Sequence, residues 1–286
     1  MLRPGFEPGS ATREAHDTIS WKYIRSDFIT YFDSKRYSAR YKIDMLSYLD
    51  KNFTTISSPM DIMRCFSKLE KGGRHLWLGF RAVFNFLEAT GYNAETLSVY
   101  RKALPTFQCG IDLKVPEEAK IIADLKAFMV ANPKCRAVHN LLLDSGLRLV
   151  EAMHLVNNWT EPDKVGNFYR SEVGMFRGCK QAYFAYYTAA TYDLLKGLSS
   201  KVSQIAYEKA IERFNLTRSK YLRKFAFDSM VQLEVPESVA DFIEGRVPKS
   251  IGAKHYMVLR RQADKFYGKY ADYLTKLRSK ANLAMP

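Results

Sequence analysis

The sequence predicts a mainly helical α+β protein, with a helical N-terminal domain and a second domain whose helices surround a small β-hairpin or sheet. Three observations carry this. Apolar residues recur at helical spacing through most of the chain. One aromatic, alternating stretch, "NFYRSEVGMF" followed by "QAYFAYYT", interrupts them. Between the two helical regions, "ALPTFQCGIDLKVPEE" carries Pro105, Gly110 and Pro116 and has no period.

Residues 1–18 open the chain without a packable face. The stretch "PGFEPGS" holds two Pro-Gly pairs, Pro4-Gly5 and Pro8-Gly9, so a disordered tail is expected. Residues 19–104 read as a small bundle of helices. "WKYIRSDFITYFDSK" repeats apolar residues at helical spacing, at Tyr23, Ile24, Phe28, Ile29 and Phe32, and "SARYKIDMLSYLDKN" does the same from a candidate cap at Ser38. "SPMDIMRCFSKLEKG" begins with Ser-Pro and ends in Gly, the asymmetry of helix start and stop. "RHLWLGFRAVFNFLEATG" is a longer apolar helix ending at Gly91. Residues 105–117 form the expected linker, and 118–286 the second domain. There, "PEEAKIIADLKAFMVANP" and "KCRAVHNLLLDSG" are helical, "RGCK" turns the hairpin, and helices resume from "ATYDLLKGLSS" to nearly the end.

Hydrophobic residues make up 47% of the 286, so real cores can form. Lysine and arginine number 44 against 30 acidic residues, a net charge of +14 that predicts a polyanionic partner, nucleic acid or an acidic membrane surface. No apolar run approaches the ~20 residues of a membrane span. The N-terminus lacks an apolar signal core, so a cytoplasmic protein is expected; the choice of nucleic acid, and no membrane, as partner rests on the motifs of the second domain. Cys65, Cys109, Cys135 and Cys179 are scattered and no histidine sits near them at zinc-ligand spacing, so no metal and no cofactor is expected. Walker-type glycine loops, dinucleotide fingerprints and H-E-x-x-H are absent.

Chemistry concentrates in four pieces of the second domain. "DSGLRLVEAMHL" sets Gly146 as a tight turn, then Arg148 at the mouth of a helix with Glu151 on the same face. "RGCK" offers Lys180, with Arg177 as a competitor in the same turn. "KYLRKFAFDSM" places Lys220 and Arg223 on one helix face. "EGRVPKSIGAKHYMVL" puts Arg246 a short loop ahead of Tyr256.

Together these pieces resemble the tyrosine recombinases, the family of phage integrases and of Xer- and Cre-type enzymes. "SGLRLVEAMHL" resembles the family's first box, T-G-L-R-x-x-E-x-x-x-L, and "KYLRKFAFDSM" its second, H-x-L-R-H-x-F-A. "VPESVADFIEGR" resembles the run before the family's L-G-H, and "GAKHYMVL" the segment of the nucleophile. Lys220 and Arg246 stand where histidines are common, a departure that fits the integrases of archaeal viruses and plasmids, which the chain most resembles. The resemblance spans roughly Pro116 to the C-terminus. It implies a catalytic domain there, a core-binding domain in the N-terminal half, double-stranded DNA attachment sites as partner, and a homotetramer on DNA. It also implies that the basic helical segment after Tyr256 docks on a neighbouring protomer; the alternative is packing on its own domain.

The chemistry implied is cleavage and rejoining of DNA through a 3′-phosphotyrosyl link, without metal or ATP. Guanidinium groups meet the negative charge that builds on a phosphate under attack. Arg148 and Arg223 would form that clamp and Arg246 a third donor, with Glu151 orienting Arg148 or bracing the fold. Tyr256 would attack phosphorus; its unperturbed pKa of ~10 requires a cationic site that favours phenolate. Lys180, or else Arg177, would protonate the leaving 5′-oxygen. Lys220 would contact phosphate, the base for Tyr256 stays open, and Tyr267, Tyr270 and Tyr273 compete for its place on an amphipathic helix. A type IB topoisomerase-like enzyme and a catalytically decayed DNA-binding protein are the competing functions.

The opening stretch fits the same resemblance. Codons allowed for Pro4 to Gly9 include CCG-GGN-TTC-GAA-CCC-GGN, whose complement holds a CCGGG/CCCGG stem around a TTCGAAN loop. Transfer-RNA genes carry such a T arm, so the expectation is an attachment site in a tRNA gene overlapping the start of the coding sequence.

Overall fold

A computed structural model of the chain describes residues 18–107, 110, 112–178, 180–247, 252 and 258–283. All of the expected tail but Thr18 lies outside the described residues, as do Cys109, Cys179 and Tyr256. The chain divides into two compact units, Met1–Ile111 and Asp112–Pro286. The architecture is mainly helical α+β.

The N-terminal unit contains α1 (Trp21–Asp33), α2 (Ala39–Asn52), α3 (Pro59–Ser67), α4 (Gly73–Ala89) and α5 (Ala94–Lys102). Local chemistry sets the helix starts. The Ser38 hydroxyl accepts from the Tyr41 N–H at 3.3 Å, and Asn93 accepts from Thr96 N at 2.9 Å. At α3, Asp61 accepts from the backbone N–H of both Ser57 and Ser58, which holds its carboxyl below the usual range. The apolar faces meet in one aromatic-rich core that includes Phe28, Phe32, Met45, Leu49, Phe80 and Phe84. Two strands, β1 (Ile19–Ser20) and β2 (Thr55–Ile56), pair antiparallel ahead of α1 and α3. A two-residue strand has no period to read, so only tertiary pairing reveals it.

The second unit runs α6 (Glu118–Phe128), α7 (Pro133–Ser145), α8 (Leu149–Asn157), β3 (Asp163–Val165), β4 (Phe168–Arg177), β5 (Lys180–Thr188), α9 (Ala189–Lys196), α10 (Gln204–Arg213), α11 (Ser219–Gln232), α12 (Glu237–Ile243) and α13 (Leu259–Leu283). The expected hairpin forms, pairing from Phe168↔Thr188 to Arg177↔Lys180, and β3 extends it to an antiparallel sheet of order β3-β4-β5. The third strand, "DKV", has no alternating pattern of its own and is held by its pairing with β4. Helix α7 is central: Asn132 caps it, Pro133 starts it, and residues from Ala137 to Ser145 are buried on nearly every side. A helix buried nearly all round, with His139, Asp144 and Ser145 hydrogen-bonded inside, marks the middle of a core.

Helix α13 packs on its own unit. Ala263, Tyr267, Tyr270, Ala271, Leu274, Leu277 and Ala281 are buried in the same core as α7. The Tyr267 hydroxyl donates to Asp144 O at 2.9 Å and Tyr270 to Leu143 O at 2.8 Å, which satisfies the carbonyls near the end of α7. In the single chain the apolar face of this helix is therefore already buried. No helix among the described residues is long and apolar enough to cross a membrane.

Candidate active site

The site begins at the end of α7. Gly146 caps that helix in the left-handed region (φ 60°), with its N–H on Leu142 O at 3.0 Å, and turns the chain into α8. Arg148 is the N-cap residue of α8. Glu151, fully buried, accepts the Arg148 backbone N–H at 3.0 Å and the Arg148 Nη1 at 3.0 Å. The same carboxylate takes Arg177 Nη2 from the end of β4 at 3.1 Å. One buried acid thus fixes two guanidinium groups from separate elements, and an i, i+3 pair becomes a rigid mount.

Arg223 enters from α11 and is buried. Its Nη1 donates to Gly146 O at 2.7 Å and to Glu244 O at 2.6 Å, tying α11 to the α7–α8 turn and to the end of α12. The chain leaves α12 through Glu244 and Gly245. Gly245 has φ 72°, and a Cβ there would fall 2.9 Å from Ala182 Cβ, so only glycine lets β5 approach. Gly245 O accepts both Gln181 N at 3.1 Å and Arg148 Nη1 at 2.8 Å. The next residue, Arg246, forms an isolated antiparallel bridge with Lys180. The strand start that carries Lys180 is thereby placed beside the third arginine.

Arg246 lies 3.0 Å from Glu244 Oε2 through Nη2 and 3.4 Å from Asp241 Oδ1 through Nη1, with its guanidinium 5.0 Å over the Phe227 ring. Glu244 Oε2 is also 3.3 Å from Arg223 Nη2. Arg148, Arg223 and Arg246 therefore converge on one region, with Glu244 fully buried among them. Burial pulls the Arg223 pKa down to about 10, with Glu244 opposing and the Arg148 and Arg246 charges adding to the fall. Burial pushes the Glu244 carboxyl up to about 7, against the pull of Arg223 and Arg246.

Lys180 is exposed at the start of β5 and, among the described residues, pairs with no other side chain, whereas Arg177 is engaged by Glu151. Lys220 does not join the arginines. Its Nζ donates to Asp112 Oδ2 at 2.6 Å, and that bond raises its pKa. Lys224 contacts the same aspartate at 3.1 Å, and both lysines hold the Asp112 carboxyl well below the usual range. Tyr256 lies outside the described residues. Its three competitors are committed to packing: Tyr267 and Tyr270 are fully buried on backbone carbonyls, and Tyr273 donates to Glu118 Oε2 at 3.0 Å. Burial raises all three phenols above the usual tyrosine value, the wrong direction for a nucleophile.

Glu244 was not singled out from sequence. The signal is faint but present: in "VADFIEGR" Val239, Ala240, Phe242 and Ile243 are buried, and Glu244 lies one helical turn beyond Ala240 on that inward face.

Residues 113–273, the span that carries the arginine cluster and Lys180, match the family described as archaeal phage integrase. The chain belongs to this family. It is an integrase, a recombinase whose partner is DNA. The integrase is also similar to a solved structure, the integrase from mycobacterium phage Brujita, at 12% identity over 87% of this chain and 92% of that one, with a TM-score of 0.38. A comparison with curated proteins finds no match.

Proposed function

We propose that this integrase cleaves and rejoins DNA site-specifically through a 3′-phosphotyrosyl intermediate on Tyr256. The observation that carries the reading is the convergence of Arg148, Arg223 and Arg246, from three separate segments, beside Lys180. Three guanidinium groups held by buried acids and backbone carbonyls are preorganised donors for a phosphate that gains charge during attack. In this reading Arg148 and Arg223 grip the non-bridging oxygens and Arg246 adds a third donor. Lys180 delivers a proton to the leaving 5′-oxygen, and Lys220 contacts a neighbouring phosphate after exchanging Asp112 for DNA. The covalent link conserves the phosphodiester bond energy, so neither metal nor ATP is required. Two protomers on each of two sites make a homotetramer the working assembly.

The test is covalent trapping on a nicked suicide substrate. Wild-type protein is expected to become attached to DNA, and Tyr256→Phe is expected to lose all attachment while keeping DNA binding. Trapping of the Tyr256→Phe protein would show that another residue is the nucleophile. A second reading, a catalytically decayed DNA-binding protein, is favoured by Lys220 resting on Asp112 instead of in the cluster. It predicts that wild-type protein never forms an adduct.

The proposed target is a tRNA gene, supported by the T-arm stem and loop that codons for Pro4 to Gly9 allow. Codons in the gene that break the CCGGG/CCCGG stem or the TTCGAA core would remove that support.

A further inference from the structure

The arginine cluster is built around a carboxylate that is close to its partners and badly served by them. Glu244 is fully buried, with Oε2 at 3.0 Å from Arg246 Nη2 and 3.3 Å from Arg223 Nη2. Those contacts are near enough for Coulombic attraction. Their angles are too poor for hydrogen bonds: among the described residues neither Glu244 oxygen has a hydrogen-bond partner, and Arg223 Nη2 has none either. Nor is there room to turn away, since even a Cβ at Gly146 would fall 2.7 Å from Glu244 Oε1. Buried donors and acceptors left open in this way are unusual in a folded core. Here they sit where the proposed clamp must receive an anion.

The groups facing Glu244 come from every side of the cluster. Arg223 projects from α11, Arg148 from the α7–α8 turn, Asp241 from α12 and Tyr270 from α13, and Arg246 follows α12. Without DNA, the carboxylate offsets guanidinium charge that would otherwise be buried and unopposed. A phosphate entering the clamp brings a second anion to the same guanidinium groups. Two anions sharing one site cannot both be held cheaply, and the one able to take a proton does so.

We propose that Glu244 takes up one proton from solvent as the scissile phosphate seats, becoming a neutral acid and releasing Arg223 and Arg246 to the phosphate. It is a positioning residue that makes engagement of the clamp pH-dependent. The inference rests on the reading of the cluster as a phosphate clamp. Burial already holds the free carboxyl at about 7, so an added anion moves it through the neutral range.

Sulfate is the probe of choice, because it does not titrate near neutrality and cannot supply the proton. Calorimetric titration of the full chain with sulfate, at constant ionic strength and in two buffers of different ionisation enthalpy, reads proton uptake directly. The wild-type protein is expected to take up about one proton per sulfate above neutral pH, with affinity falling up to about tenfold per pH unit as pH rises above about 7. Glu244→Gln is expected to bind sulfate with neither the uptake nor the slope. Sulfate binding by the wild type without proton exchange overturns the proposal, and so does uptake that persists in Glu244→Gln. Should that variant fail to fold, the infrared difference spectrum of wild-type protein with and without sulfate decides. A new protonated-carboxyl band supports the proposal, and its absence overturns it. Covalent trapping of DNA is a separate readout: proton uptake by a protein that never forms an adduct supports the role of Glu244 and overturns the recombinase reading.

Discussion

Two buried acid–arginine nodes lie in the same unit, and they are built in opposite ways. At the first, Asp144 at the end of α7 accepts from Thr188 N, Thr188 Oγ1 and Thr191 Oγ1 through Oδ2 at 2.7–2.9 Å, and from Arg278 Nη2 through Oδ1 at 2.5 Å. Arg278 is further held by Asn140. At the second, Glu244 faces two guanidinium groups and, among the described residues, neither of its oxygens is hydrogen-bonded. Both acids are fully buried. A fully satisfied buried pair is a brace, here joining α7, the start of α9 and α13. An unsatisfied one carries a cost, which a ligand that completes its hydrogen bonds would relieve. Burial and charge alone do not separate a scaffold from a site; the hydrogen-bond inventory does.

The comparison can be broken in four places. Asp144→Ala removes the acid of the satisfied node and leaves the part-buried Arg278 with Asn140 and the threonine hydroxyls but no counter-charge. It should cost about 3–5 kcal/mol, read as the midpoint shift in denaturant unfolding. A loss within experimental error would mean that the node is not a brace. Arg223→Lys loses the planar fork in which Nη1 holds Gly146 O and Glu244 O and Nη2 is left for a phosphate, and covalent trapping should slow by about 10²–10³-fold while the fold persists. Unchanged trapping would remove Arg223 from the clamp.

Glu244 then gives a pH test of the free protein. Its folded pKa, about 7, lies above the ordinary 4.5, so the folded state binds more protons than the unfolded chain between those values. Its contribution is most favourable below the unfolded value and is lost as pH rises through about 7, a change on the order of 3 kcal/mol. Wild-type stability should therefore fall between about pH 5 and about pH 8 relative to Glu244→Gln; parallel curves would refute the shifted carboxyl. The smallest effect is expected at Lys220, exposed and resting on Asp112. Lys220→Ala should lower the salt slope of DNA binding by about one and leave the folded structure intact. An unchanged slope would mean that Asp112 keeps this lysine when DNA binds.

Much of the fold was legible because its signals are local. The helix starts at Ser38 and at Ser58-Pro59, the tight turn at Gly146 and the aromatic alternation of β4 and β5 each act within a turn or along a strand. The i, i+3 spacing of Arg148 and Glu151 likewise predicts their contact. The short strands β1, β2 and β3 were not legible, since each depends on a partner strand instead of its own pattern. Nor was the choice among the tyrosines after residue 260. On a helical wheel Tyr267, Tyr270 and Tyr273 are merely apolar, and only the packed structure shows their hydroxyls bound to Asp144 O, Leu143 O and Glu118.

By itself, then, the amino-acid sequence determined the helices and their caps, the hairpin, the strong positive charge and the boxes that carry Arg148, Arg223 and Arg246, because these are properties of neighbours along the chain. The tertiary structure alone decided that Glu244 is the buried acid among the arginines, that Lys220 rests on Asp112, that Lys180 lies against Arg246, and that α13 buries its apolar face in its own unit. Each of those contacts joins segments far apart in sequence. Whether a charge is solvated, paired or stranded depends on which distant segment closes over it, and residue spacing carries no record of that.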